Sequence, residues 1–419
     1  MSLISKIILL LTSLIILLLG YLISTEIEFT PKFIELPLES KAKCLDGSPY
    51  KFMYIKGRDS GIKNFLLYFE GGSWCGTDVK PKPTIESCRQ RALTNLGKNT
   101  FGINLKVIFS RFTRFFSNKE KYNPSFYNWN KIFIKYCDGL GHISNTNSYG
   151  LYFNGLNNTL GVLNYLKKNF DFEKAENVVI SGYSAGGLAA LIYSNYINNL
   201  TIKKNNTIVI ADSGFVNLID YDKIKEGEDD IRFVFKNVMK YSGNNDIILK
   251  TICKYYNNPE KKYLCMLPEG YIEQIKLPVL IIQNSFDAWK MRHILKESCF
   301  LTYKFLKGCN EKQKDNIIKY GEKLNKRIEE HFKVRDNFSF WINKLLGHTL
   351  TIFNYKIYGD KYKINNITLG DFIKEWVDNN LCKNKKKHVY YTNQNNSLID
   401  DYKDIYWYTY ILPFEIKFI

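Results

Sequence analysis

Gly182-Tyr183-Ser184-Ala185-Gly186 sets one serine between two glycines, each two residues away. A serine hydroxyl is a weak nucleophile until a base takes its proton. It must also stand clear of the chain that carries it. The flanking residues supply a way to do that. Val178–Ser181 is apolar and β-branched, as a buried parallel strand is. Leu188–Leu200 carries apolar residues at helical spacing. Strand, tight turn and helix together form a nucleophile elbow, which lifts Ser184 Oγ to the sheet edge. The next amide, Ala185 N–H, then points at the same place from a helix N-terminus. A merely structural turn is the competing reading, but it gives the paired glycines and the flanking elements no shared purpose.

A nucleophilic serine needs a histidine base and an acid to orient it. The chain has five histidines: His142, His293, His331, His348 and His388. In the order serine, acid, histidine, His142 comes too early. His293 and His331 lie on charged stretches that read as helical and suit solvated faces. His388 follows a lysine run. His348, in INKLLGHTLTIF, follows Gly347 between apolar segments, as a loop residue over a core would. It is the candidate base, with a loop histidine of no special role as the alternative. Asp287 follows the strand pattern Val279–Gln283 and lies between Ser184 and His348, so it is the candidate acid. Asp212 also follows a strand pattern, but soon after the serine; it would brace the site or contact substrate. Asp222, Asp229 and Asp230 fall in a charged connection and read as solvated.

These residues need a scaffold. NFLLYFEGG (64–72), KIFIKYCDG (131–139), Val178–Ser181, NTIVIADSG (206–214) and LPVLIIQNSFD (277–287) read as strands. Amphipathic helices are expected over Asn154–Asn169 and Leu188–Leu200. The alternation predicts an α/β fold with a mostly parallel central sheet flanked by helices. Active residues in such sheets gather at the carboxyl ends of strands. That rule nominates Glu70-Gly71-Gly72, Asp138, Ser184, Asp212 and Asp287 together.

Bulk features set limits. With 419 residues, 45% hydrophobic and 15% aromatic, the chain can bury a large core, as one domain of unusual size or one domain with a cap. Met1–Lys6 carries one positive charge, and Ile7–Thr25 carries none. This is a secretory signal or a signal-anchor helix, and residues 7–25 could tether the protein to a membrane. Among the nine cysteines, Cys75 and Cys88, Cys253 and Cys265, and Cys299 and Cys309 are near neighbours. In an oxidising compartment they read as disulfides closing surface loops, with one cysteine left over. Metal ligation fits poorly: no Cys-x-x-Cys occurs, and no metal is expected. Six Asn-x-Ser/Thr sequons, at Asn157, Asn199, Asn205, Asn337, Asn366 and Asn395, permit glycosylation. The formal charge is +18, with a lysine run at 383–387. It would favour acidic polysaccharide or anionic membrane, although a general Lys, Asn, Ile and Tyr bias is the better account of it. No nucleic-acid motif is present, so no nucleic-acid partner is expected.

The motifs above resemble the pectin acetylesterase/Notum family of carboxylesterases. CLDGSPYKF, YFEGGSWC with Cys88, NPSFYNWNKIFIKYCDG, SGYSAGG, ADSGF and SFDAW follow in the family order between Cys44 and Cys382. The resemblance implies an α/β-hydrolase-like fold with a cap region over about 215–265. It maps a triad onto Ser184, Asp287 and His348, and an oxyanion hole onto the amides of Gly72, Ser73 and Ala185. It implies Trp74 and Asp212 as substrate-binding residues and Cys44–Cys137 as a long-range disulfide. Plant members flank the catalytic histidine with cysteines, and LLGHTLT has none.

The sequence therefore leads us to expect a secreted or membrane-anchored, monomeric serine esterase with no cofactor. Its domains would be a leader (1–25) and one catalytic domain (26–419) with a C-terminal extension from about 383. The expected substrate is an acetylated glycan. The alternatives are a long-chain acyl-protein, a membrane lipid under an apolar lid, and an inactive binding module on the same scaffold.

Overall fold

The computed structural model describes residues 31–77, 84–101, 114–204, 206–216, 231–301, 308–333, 335–351, 363–364, 366–381 and 390–392, besides Thr12. Its centre is a nine-stranded sheet in the order β1-β2-β4-β3-β7-β8-β9-β10-β11. The strands are β1 (Lys32–Glu35), β2 (Lys51–Ile55), β3 (Asn64–Phe69), β4 (Asn130–Ile134), β7 (Asn177–Tyr183), β8 (Thr207–Asp212), β9 (Val279–Asp287), β10 (Phe338–Gly347) and β11 (Tyr390–Thr392). From β4 to β11 every neighbouring pair runs parallel; only β1 and β2, at one edge, run antiparallel. A separate hairpin joins β5 (Thr146–Ser148) to β6 (Leu151–Phe153).

Continuous apolar runs become the interior strands. All six residues of β3 and of β8, and all nine of β9, are buried. That is the burial expected where helices cover both faces. The two-residue pleat divides β3 cleanly. Phe65, Leu67 and Phe69 join one core, with Leu163 and Leu166 of the helix Gly155–Phe170 and Leu188 and Leu191 of the helix Ala185–Leu200. Leu66 and Tyr68 join the other, beneath Ile317 of the helix Glu311–Lys333 and Phe372 and Trp376 of the helix Leu369–Leu381.

Two elements depart from the sequence reading. The helix after the serine starts at Ala185, not Leu188. Its glycines sit where neighbouring backbone comes close: Gly186 against Phe69 of β3, and Gly187 against Asp212 and Gly214. Phe338–Gly347 is a strand that the sequence reading did not assign, and His348 follows it as a loop residue. Between Asn343 and Leu346 this strand carries one residue more than β9, so that Gly347 pairs with Asp287. That bulge sets which face the following residue, His348, meets.

Four disulfides join Cys44–Cys137, Cys75–Cys88, Cys253–Cys265 and Cys299–Cys309. The remaining Cys382 lies outside the described residues, as do residues 7–25 except Thr12 and most of the C-terminal extension. Among the described residues, no helix is long and apolar enough to cross a membrane, and no His/Cys/Asp/Glu group could hold a metal ion. Of the region expected to form a cap, the helices Ile231–Tyr241 and Asp246–Ile252 are described. The first packs Val234, Phe235 and Val238 into the core shared with the sheet.

Candidate active site

The carboxyl ends of β3, β4, β7, β8, β9 and β10 bring the nominated residues to one edge. Ser184 follows β7 directly and stands at φ 55°, ψ −126°. That is a conformation side chains rarely adopt, and it is held by the surrounding structure. Its amide donates to Asp212 O at 2.8 Å, and its carbonyl accepts from Gly187 N at 2.9 Å, which opens the helix. The glycines on either side are there for close approach. A Cβ on Gly182 would strike the Gly186 carbonyl, and one on Gly186 would strike the Phe69 carbonyl. Gly71 likewise lies against Tyr183 O and Ser184 Cβ. The Glu70–Trp74 segment is thereby pressed onto the elbow with no side chain between them.

His348, partly exposed, pairs with the fully buried Asp287. His348 Nδ1 lies 3.0 Å and 2.9 Å from the two carboxylate oxygens of Asp287. Asp287 also accepts from Lys290 N at 3.0 Å and from Gln283 Nε2 at 3.0 Å. Burial would raise its pKa. The charges of His348 and Lys290 and these hydrogen bonds outweigh that and hold it below the usual carboxylate value. Burial pushes the Lys290 ammonium down to about 8, opposed by the charges of Asp287 and Glu269. It therefore keeps its charge at neutral pH, and it donates to Phe215 O at 2.6 Å.

Asp212 is fully buried. One of its oxygens accepts from Leu350 N (2.7 Å), Thr351 N (2.6 Å) and Thr351 Oγ1 (2.8 Å). Its neighbour Ser213 Oγ accepts from Thr349 N at 3.0 Å. The expected substrate contact is thus corrected. Asp212 braces the chain immediately after His348, and its carboxylate has no face left for a substrate. Asp212→Ala should leave two amides and a hydroxyl unpaired in the interior. We expect a loss of about 3 kcal/mol or more in urea unfolding, on the scale of hydrogen bonds to a buried charge. A change under about 1 kcal/mol would show that the loop is held by other contacts.

The oxyanion segment is equally fixed. Ser73 has φ 58°. Its hydroxyl accepts from Trp289 Nε1 at 3.0 Å, and its carbonyl accepts from Tyr136 OH at 2.7 Å. Trp74 is nearly fully buried, edge-on to Phe235 (5.1 Å) and Trp289 (5.6 Å). Among the described residues, the amides of Gly72, Ser73 and Ala185 have no protein acceptor.

Sequence reasoning missed several of these groups. His293, read as solvated, lies 4.9 Å from the Trp289 ring, which stacks 6.4 Å from His348 on its other contact. Burial first, then the charges of Arg292 and Lys296, push His293 down to about 3, so it stays neutral. Its spacing from Trp289, one helical turn, was the available signal. Gln283 and Lys290 had none, because their roles depend on strand register. The nominated Glu70 and Asp138 are structural. Glu70 accepts from Tyr136 N at 2.8 Å beside Lys135, and Asp138 accepts from Ser144 Oγ at 2.5 Å and His142 N at 3.2 Å. His142 lies buried with Nε2 2.8 Å from Glu70 O. The side chain of His331 and all of His388 lie outside the described residues.

Known proteins are similar to this chain in sequence and in fold. The pectinacetylesterase family model matches residues 23–397. Pectin acetylesterase 5 of Arabidopsis thaliana is 27% identical over 369 residues, covering 83% of this chain and 81% of that protein. Palmitoleoyl-protein carboxylesterase NOTUM of Schmidtea mediterranea is 26% identical over 267 residues, covering 60% of this chain and 48% of that protein. A crystal structure of the Wnt deacylase Notum from Drosophila superposes with a TM-score of 0.68 at 17% identity, covering 87% of this chain and 97% of that one, and so shares its α/β-hydrolase-like fold. With a match from residue 23 to residue 397, the chain belongs to the pectinacetylesterase family of carboxylic-ester hydrolases.

Proposed function

We propose that Ser184, His348 and Asp287 form a catalytic triad that removes short acyl groups, acetyl above all, from a glycan. The observation that carries this reading is the His348–Asp287 pair, set by the bulge in β10 at the same sheet edge as the strained Ser184 turn. Ser184 Oγ attacks the ester carbonyl while His348 Nε2 takes its proton. Asp287 fixes the Nδ1–H tautomer and stabilises the imidazolium. The carbonyl oxygen becomes an oxyanion beside the amides of Gly72, Ser73 and Ala185, each contributing about 3 kcal/mol. His348 then returns its proton to the departing alcohol, and water attacks the acyl-serine by the reverse route.

The preference for acetyl rests on the relatives. Over a like share of the chain, 83% and 82%, pectin acetylesterase 5 is 27% identical and a Notum carboxylesterase 22%. On this reading residues 26–419 are one catalytic domain, 215–265 is its cap, and the protein acts as a monomer outside the cytoplasm, where its four disulfides persist.

The test is a chain-length series at fixed salt. 4-Nitrophenyl acetate should be cleaved best, with kcat/KM falling beyond butyrate. A steady rise to octanoate would instead point to a long apolar pocket and a deacylase of long chains. No turnover, together with no labelling of Ser184 by a fluorophosphonate, would make the protein an inactive binding module.

A further inference from the structure

Arg91 has no part in the chemistry above, yet its guanidinium is buried against the oxyanion segment. It sits on the helix Thr84–Ala92 and is 9% exposed. Its Nη2 donates to Gly72 O at 2.7 Å. In a trans peptide the carbonyl and the following amide point in opposite directions, and the chain has no cis bonds among the described residues. Holding Gly72 O toward the helix therefore turns Ser73 N–H away from it.

The next peptide is held as well. Tyr136 OH donates to Ser73 O at 2.7 Å and itself accepts from Gly141 N at 2.9 Å. The Arg91 guanidinium lies over the Tyr136 ring, 4.8 Å from its centroid. Ser73, at φ 58°, is thus caught between two clamped carbonyls whose clamps stack on each other. The helix is itself tied to this segment. Cys88, three residues before Arg91 and on the same helix face, is joined to Cys75. Arginine and disulfide together bind one helix to both ends of the Gly72–Cys75 segment.

We propose that Arg91 is a positioning residue that sets the Ser73 amide for the oxyanion, with Tyr136 as its counterpart on the other side of Ser73. This rests on the serine mechanism proposed above. A strained residue left with one clamp relaxes toward negative φ, and its amide then leaves the position where charge develops. Arg91 also brings a fixed positive charge behind that amide. Both effects act on the transition state more than on bound ester.

The experiment uses the intact, disulfide-bonded protein and the variants Arg91→Met and Arg91→Lys. Arg89→Gln serves as the control, on the exposed side of the same helix. Each is measured for kcat and KM with 4-nitrophenyl acetate and for affinity to a trifluoromethyl ketone. Ser184 Oγ adds to that ketone, its carbonyl oxygen becomes the oxyanion, and the serine proton passes to His348. Loss of one oxyanion donor costs roughly 10²–10³-fold in kcat. A displaced donor should cost less, so R91M is expected to lower kcat about 10- to 100-fold with KM nearly unchanged. Ketone affinity should weaken by a similar factor, R91K should recover part of both, and R89Q should match wild type. A folded R91M with kcat within about twofold of wild type overturns the proposal, as does a fall in kcat with ketone affinity intact. If R91M does not fold, the same two readouts on R91K decide. A wild type that fails to react with a fluorophosphonate at Ser184 overturns the serine mechanism and this role with it. A wild type that reacts, paired with an unaffected R91M, overturns this role alone.

Discussion

Ser184→Ala is expected to lower kcat for 4-nitrophenyl acetate by at least about 10³-fold while leaving the fold intact. Removal of a triad nucleophile elsewhere costs on the order of 10⁶, and the remainder comes from binding and the oxyanion hole. The fold should survive because the interactions that fix the elbow are made by backbone. Ser184 N bonds to Asp212 O, Ser184 O receives Gly187 N, and the close approaches involve Gly71, Gly182 and Gly186. Alanine keeps the Cβ that suffers at φ 55° and adds no new strain. Its melting temperature should stay within about 2 °C of wild type, as for a substitution that breaks no buried network. Steady-state kinetics and a thermal scan on the same preparation check both halves. Residual activity above about 1% would point to a different nucleophile. A large fall in melting temperature would mean that the hydroxyl is structural.

The serine elbow could be read from sequence because its signals are local. Gly182 and Gly186 are needed within one turn, and Val178–Ser181 and Leu188–Leu200 state their periodicity directly. The close approach to Phe69 O and the contact of Gly71 with Tyr183 were not legible, since they join segments more than a hundred residues apart. Asp287 was legible as an acid that closes a strand pattern between the serine and His348. Its partners were not, because Gln283 and Lys290 reach it only through the geometry of a strand end and the first turn of a helix. β10 escaped notice because FSFWINKLLG mixes buried polar residues, Ser339 and Asn343, into its apolar positions. The bulge that aims His348 lies within that strand and has no sequence signature of its own. Asp212 shows a limit of the strand-end rule. The rule located it correctly at the active edge but could not distinguish a group that faces substrate from one that holds a neighbouring loop. The near cysteine pairs were legible from spacing; Cys44–Cys137 was available only through family resemblance.

Asp287→Asn should be nearly as damaging to catalysis as loss of the serine, and unlike S184A it should also destabilise the fold. Three donors converge on the Asp287 carboxylate: His348 Nδ1, Gln283 Nε2 and Lys290 N. Asparagine has one oxygen to accept them and an NH₂ that must find an acceptor. Lys290 N is backbone and cannot move away, so it keeps the oxygen. Gln283 can turn, since its buried Oε1 has no partner, but His348 then meets an amide that favours the tautomer protonated on Nε2. That tautomer cannot take the serine proton, and kcat is expected to fall about 10⁴-fold. The destabilisation comes from Lys290, buried with its charge opposed by Asp287. Without that carboxylate its pKa must fall further below about 8, while in the unfolded chain it stays near the ordinary lysine value. Over that interval the unfolded chain binds more protons, so the variant gains stability as pH rises. Wild type gains in the same way only once pH passes about 8, where its own Lys290 deprotonates. The stability deficit of D287N relative to wild type should therefore narrow as pH rises toward about 8 and level off above it in urea unfolding. A deficit independent of pH would mean that Lys290 does not sense Asp287. A kcat within about tenfold of wild type would remove Asp287 from the triad.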